Sequence, residues 1–416
     1  MAQTKVKSEL IEGGLGTDWQ STIKTSNFTA EAGKGYFVDV TSGSVTITLP
    51  SSPTVGDEVS IIDYAGNFSN TNYVTLTSSN NIRGGSANAL LKNARQGTSL
   101  VYSGTTKGWI VSADANRASG FALSSPPYNI SYFLAAGGGG GGGFGQAGGG
   151  GGGGVLEGTL SSIVGTLTIT VGAGGGGGNA GALTDARKGN QGGSSSIAGT
   201  GFSTVTAIGG GYGHGHSFNG GPGGSGGGGG TQTGTGGQGG AGTSGQGNDG
   251  GTSGSYGVPY CGSGGGGKGA AGSAGGNASG NGGIGGTTTI ISTTNAQSSS
   301  VGEVSGGNLY FSGGGGGGSY QGTAGTGGLG GASDGFSGNL TGNGGSSPNA
   351  TAHTGGGGAG SGGYGNQNTG GNGGSGICIL KIPTANYSAS STGSPDVYTE
   401  GSFKILVFKQ SGTYTA

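Results

Sequence analysis

Charge is what this sequence has least of. Lys, Arg, Asp and Glu make up 7% of 416 residues, the formal net charge is -1 and the pI lies near 6.3. No basic stripe exists to displace counterions from a phosphate backbone, so nucleic acid is not an expected partner. The same scarcity argues against a solvated disordered tail, which charge repulsion normally holds open. No apolar run reaches the roughly 18 residues of a membrane span, so no membrane insertion is expected. The opening Met1-Ala-Gln-Thr-Lys-Val-Lys-Ser-Glu-Leu-Ile lacks the apolar core of a signal peptide, and a soluble product made without classical secretion is expected. Nine prolines beside 119 glycines exclude collagen, which needs abundant proline and an unbroken triplet register. Two cysteines, Cys261 and Cys378, leave a disulfide and free thiols both open, with the missing export signal weighing against the bond.

Catalytic machinery is also missing. Three histidines occur, two in Tyr212-Gly-His-Gly-His216 and the third at His353, with no acid or thiol at metal-ligand spacing. Strings of the G-x-G-x-x-G type arise from composition alone and lack a strand–helix context. No catalytic residue, metal or cofactor is expected, and the chain reads as a non-enzyme.

What is present is glycine, and it is not spread evenly. Residues 137–143 and 148–154 are two unbroken seven-glycine runs, separated by Phe144-Gly-Gln-Ala147. Further runs at 174–178, 209–211, 282–286 (with Ile284 inserted) and 313–318 lie beside strand-like segments at 165–171, 202–208, 287–291 and 308–311. Triplet spacing recurs at Gly236, Gly239, Gly242 and Gly245, at Gly322, Gly325, Gly328 and Gly331, and at Gly370, Gly373 and Gly376.

A left-handed helix of three residues per turn has no internal backbone hydrogen bonds, and its N–H and C=O groups point outward. Where all three faces are glycine, neighbouring helices approach closely enough to bond laterally on every side. The expected body is therefore a polyglycine II helix bundle flanked by β-strands. All-glycine runs form its interior, and Gln238, Ala241, Ser244 and Ala324 lie on its skin. The competing reading is a flexible linker, since ordering glycine carries the largest backbone entropy cost. Linkers have no need of runs repeated beside apolar strands with aromatics at the turns between, and order is preferred.

The chain divides by composition. Residues 1–24 form a mixed N-terminal segment for attachment or assembly, and 25–115 carry short strands separated by turn residues. Val45-Thr-Ile-Thr-Leu49 alternates strictly, and Thr41-Ser-Gly-Ser44 reads as a hairpin turn joining 36–40 to 45–49. The expected module is a small antiparallel β-sandwich with Phe37, Tyr64, Phe68 and Trp109 as core aromatics. A linker at 116–131, a glycine-rich domain at 132–382 and closing strands in 383–416 complete an all-β chain.

Tyr132-Phe-Leu-Ala-Ala-Gly-Gly-Gly-Gly, Leu167-Thr-Ile-Thr-Val-Gly-Ala-Gly-Gly and Gly373-Gly-Ser-Gly-Ile-Cys-Ile-Leu-Lys-Ile-Pro383 resemble blocks of the glycine-rich domain of bacteriophage tail fibres. Phe403-Lys-Ile-Leu-Val-Phe-Lys-Gln-Ser-Gly-Thr-Tyr-Thr415 is similar to that family's terminal strand pair. Phe28-Thr-Ala-Glu-Ala-Gly-Lys-Gly-Tyr-Phe-Val-Asp39 and Val101-Tyr-Ser-Gly-Thr-Thr-Lys-Gly-Trp109 resemble a β module common in phage fibre proteins. The resemblance implies a virion tail fibre or adhesin whose loops bind a host surface glycan or outer-membrane protein. It also implies other virion tail proteins as partners and a homo-oligomeric assembly.

No family motif transfers to particular contact positions, so the candidates come from aromatic placement. A ring cannot enter a glycine lattice and must lie on its surface or at its ends. The receptor-binding candidates are Tyr212, His214, His216, Phe218, Tyr256, Tyr260, Tyr320, Phe336, His353 and Tyr364. For any one of them, capping a lattice end is an equal alternative to binding. Two other functions compete: a structural filament assembling by β-strand exchange, and an ice-binding polyglycine bundle.

Overall fold

The computed structural model describes residues 16–114, 122–123, 128–180, 184–216, 218–231, 236–254, 260–338, 345–363 and 368–416. Its contacts group into two compact units, Met1–Pro126 and Pro127–Ala416. Both are built almost wholly of strands and extended chain, an all-β fold.

In the first unit the chain alternates between two five-stranded sheets. Asp18–Trp19, Lys34–Val38 and Glu58–Asp63 lie side by side and parallel in one sheet. Phe28–Thr29, Val45–Thr48 and Val74–Thr77 do the same in the other. Only the later strands pair antiparallel: Gly97–Tyr102 and Trp109–Asp114 on the first sheet, Ala89–Leu91 and Ala122–Leu123 on the second. The sandwich is therefore mixed, not antiparallel. The turn at 41–44 explains the difference. It arches from one sheet to the other, so Tyr36 and Val38 face Val45 and Ile47 across a single core. Alternating burial fixes which face of a strand points inward but not which strand lies beside it. Trp109 and Phe68 are core residues, whereas Tyr64 is 56% exposed and Phe37 half-buried on the outer face.

Strands also extend beyond the expected borders. Asp18–Trp19 belongs to the stretch read as an attachment segment, and Ala122–Leu123 and Tyr128 to the stretch read as a linker. Residues 1–15 of the stretch read as an attachment segment lie outside the described residues.

The second unit stacks three antiparallel sheets. The central one runs in the order Val155–Ile163, Tyr128–Ala135, Ile377–Pro383, Phe403–Phe408, Asp396–Glu400. On one face lies a four-stranded sheet of Val205–Ala207, Ser195–Ala198, Thr166–Thr170 and Gly412–Thr415. On the other lie Gly286–Thr288, Asn308–Phe311 and Glu303–Ser305, with a short helix at Thr293–Ser298. Leu134, Cys378, Leu380, Leu406 and Phe408 face the first neighbour, while Phe133, Ile377, Ile379, Ile405 and Val407 face the second. A strand buried on both faces needs a continuous apolar run, which is why Ile377-Cys-Ile-Leu does not alternate. Cys261 and Cys378 are both free and buried, and burial pushes the Cys378 thiol well above its ordinary range.

The strands pass straight into glycine. Ala135 leads to the run 137–143, which returns through 148–154 to Val155. The lateral bonding of these runs repeats every three residues. Gly137, Gly140 and Gly143 donate to Gly193, Asn190 and Arg187; Gly138 and Gly141 to Gly374 and Gly371; Gly139 and Gly142 to Gly151 and Gly148. Their carbonyls accept with the same period: from Gly210 and Gly213, from Gly175 and Gly178, and from Gly358 and Ser361. Six segments thus surround the run, three as donors and three as acceptors, and the N–H and C=O groups of residues 137–142 are all satisfied. The run 148–154 is bonded in the same way to 208–214, 263–266, 355–358, 139–142 and 225–228, and Gly150 accepts from Gly315 of a sixth segment. At the edge of the body Gln238, Ala241 and Ser244 are exposed as expected, and Ala324 is half-buried.

Candidate functional site at the loop end of the glycine body

Because bonds in this body run laterally, bonded residues lie at the same height along it. At about 3.1 Å per residue, seven glycines carry the chain about 22 Å away from the sheets. The far end is marked by the turn at 144–147. Phe144 N–H donates to Asn368, Ala147 to Ser361, Thr231 to Gln146 and Gly318 to Ala147. Ser319 N–H donates to the Phe336 carbonyl, Phe336 N–H to that of Gly360, and Tyr320 N–H to that of Tyr260. The body therefore has two unlike ends, one continuous with the sheets and one made of loops.

Most of the described candidates meet at the loop end. The ring of His216 lies 6.4 Å from Phe144, nearly parallel at 18°, and 6.1 Å from Phe218. Phe218 in turn is 4.9 Å from His214 and 41% exposed. The Arg187 guanidinium sits 3.8 Å above the Phe144 ring, a cation–π contact. Tyr212 lies beside Lys188 and rests on Gly221, where an added Cβ would come within 2.4 Å of its ring. Tyr260 and Tyr320 form a second pair at 6.0 Å, and Phe336 lies over Gly345. Two residues that composition alone could not single out, Phe144 and Arg187, hold the first cluster together. The signal for Phe144 was its position as the one ring between the two glycine runs.

Two candidates depart from surface display. His214 is 7% exposed: its backbone bonds Gly148 and Gly228 inside the body, and its Nδ1 lies 2.8 Å from the Gly215 carbonyl. His353 lies at the opposite end, beside the sheets, with Nδ1 3.1 Å from Ser375 Oγ and its carbonyl accepting from Gly302. Tyr256 and Tyr364 fall outside the described residues.

Burial, then the Arg187 charge, lowers the His216 pKa; burial, then Lys409, lowers that of His353 against an opposing Asp396. Both folded values lie below the unfolded one, so the unfolded chain takes up more protons as pH falls through about 6.5. The stability that the neutral rings contribute is complete above that point and lost below it. Thermal unfolding should therefore shift to lower temperature from about pH 7 to about pH 5. Both histidines occupy left-handed backbone, φ 60° and 61°, which Asn tolerates. The double variant His216→Asn, His353→Asn should flatten the pH profile, and an unchanged slope would refute the assignment.

Among the described residues no group of three His, Cys, Asp or Glu side chains is placed to hold a metal, and no helix is long and apolar enough to cross a membrane. Residues 116–383, more than half of the chain, match the family model described as Glycine-rich domain, and the chain belongs to that glycine-rich domain family. A search of curated proteins finds no match.

Proposed function

We propose that this chain is a non-enzymatic receptor-binding fibre or adhesin of a bacteriophage tail, and that its glycine body is a polyglycine II bundle. The observation that carries the reading is the gathering of Tyr212, His216, Phe218, Tyr260, Tyr320 and Phe336 at the end of the body remote from the sheets. Rings with few rotatable bonds, held on a frame whose backbone is laterally bonded, lose little entropy on contact. The partner this chemistry suits is a glycan or protein loop on a host surface, and the sheet end is free to serve attachment to other tail proteins. Purified protein should bind cells of a susceptible bacterium. Replacing Phe218, Tyr260 and Tyr320 together by Ala should weaken binding by more than about tenfold. Undiminished binding by a folded triple variant would sink the reading.

A second reading is a filament joined by strand exchange. It draws on the nine-residue strand Val155–Ile163, which forms one edge of the central sheet. It requires concentration-dependent fibres without cell binding.

A further inference from the structure

We infer that the N-terminal unit carries a separate binding platform for neutral saccharides on the outer face of its first sheet. The inference does not depend on the loop-end reading, since its residues lie in the other unit. The platform is a row of rings, two on neighbouring strands and the third, Tyr64, in the loop that follows the next strand. Trp19 and Phe37 have centroids 5.1 Å apart with planes inclined at 32°, and Phe37 and Tyr64 lie 6.5 Å apart, edge to face. Trp19 is 40% and Tyr64 56% exposed, in a chain whose other tryptophan, Trp109, is completely buried.

The sequence builds a seat for this row. Trp19 is paired with Gly35, and a Cβ at Gly35 would lie 2.6 Å from the indole Cδ2 and Cε3. Only glycine lets the indole settle on the sheet's backbone. Beside the rings the half-buried hydroxyls of Thr17 and Ser99 are tied through the buried Ser60, at 3.4 Å and 2.7 Å, which leaves Thr17 and Ser99 as the hydroxyls at the surface. Of the outward positions of the paired strands, Gly35, Phe37, Ile62 and Ser99 carry no ionisable group, and Glu58, at the end of the same face, is the one acid among them. The rim charges Asp18 and Lys34 lie 3.7 Å from each other.

Aromatic faces beside the Thr17 and Ser99 hydroxyls, with an acid and no cation at the outward positions of the paired strands, match a pyranose. Its C–H face stacks on a ring while its equatorial hydroxyls bond at the edge. The ring spacings are of the size of one sugar unit, so consecutive residues of an oligosaccharide would meet Trp19 and Phe37, with Tyr64 as a side wall. Among the described residues no cation occupies an outward position of these strands, so an anionic glycan or a peptide carboxylate has nothing there to hold it.

Tryptophan emission tests this directly, because Trp109 is shielded and any ligand response belongs to Trp19. The full chain is titrated at low concentration with neutral cello-, chito- and malto-oligosaccharides. At least one series should shift the emission to the blue and protect Trp19 from acrylamide. By calorimetry, Trp19→Ala and Tyr64→Ala should each weaken that binding about tenfold, and Trp19→Phe should recover part of it. Near-ultraviolet circular dichroism from the buried Trp109 and Phe68 verifies that the variants fold. No response to any series overturns the proposal, as does shielding of Trp19 that rises with protein concentration in the absence of sugar. Neither failure would alter the cell-binding result expected from the loop-end variants.

Discussion

Gly140→Ala should unfold or grossly destabilise the glycine body, while Gly176→Ala, on the neighbouring segment, should leave it intact. At Gly140 an added Cβ would stand 2.0 Å from the Gly176 carbonyl oxygen and 2.5 Å from its carbon. Both obstacles are backbone, held in turn by their own lateral bonds, so the space can open only by parting two segments. Overpacking of ordinary cores costs about 1–3 kcal/mol where side chains can give way. Here none can, and a loss of about 3 kcal/mol or more is expected. At Gly176 the nearest atoms to an added Cβ are the Asn190 side-chain nitrogen at 3.4 Å and the Asn372 side-chain oxygen at 3.9 Å. Its φ is not left-handed, so alanine meets no strain and restricts the unfolded chain, for a change between zero and about 1 kcal/mol in favour of folding. Denaturant midpoints of the two variants give the comparison. Equal midpoints would mean that the runs do not pack as described.

Phe133→Ala should be the most damaging single change in the sheets, at about 4 kcal/mol. Phe133 is 1% exposed and meets Phe311 at 4.8 Å between the central and three-stranded sheets. Its strand enters the first glycine run four residues later, and Phe311 stands just before the run 313–318. The pair therefore clamps two of the strands from which the body grows. Phe133→Leu should retain most of the stability, whereas a small loss for Ala would show that the joint is loosely packed.

The sequence made local structure legible far better than neighbourhood. Alternation in Val45-Thr-Ile-Thr identified a strand with one buried face, and the structure buries Val45 and Ile47. It could not tell an arch from a hairpin, because both place the same side chains inward. Tyr64 was misjudged for a related reason. It follows Asp63, whose carboxylate accepts from the N–H groups of Gly66, Phe68 and Arg95 and so pins the loop with Phe68 inward and Tyr64 outward. The strands Val155–Ile163 and Ser195–Ala198 escaped notice since Glu, Gly and Ser dilute their pattern. Glycine offered a different kind of signal. A run without side chains carries no facial pattern, yet its length and its place beside strands sufficed to anticipate lateral packing. What it could not reveal was that the aromatic turns share one end while His353 lies at the other, because that depends on the direction in which each segment crosses the body.

Amide hydrogen exchange across 138–142 and 149–153 tests the central claim most directly. If six neighbours bond each run, these glycine amides should exchange only through global unfolding and match the protection of the core strand Ile377–Pro383. Exchange at the rate of an unstructured glycine peptide, with the strands still protected, would make the runs linkers and contradict the account.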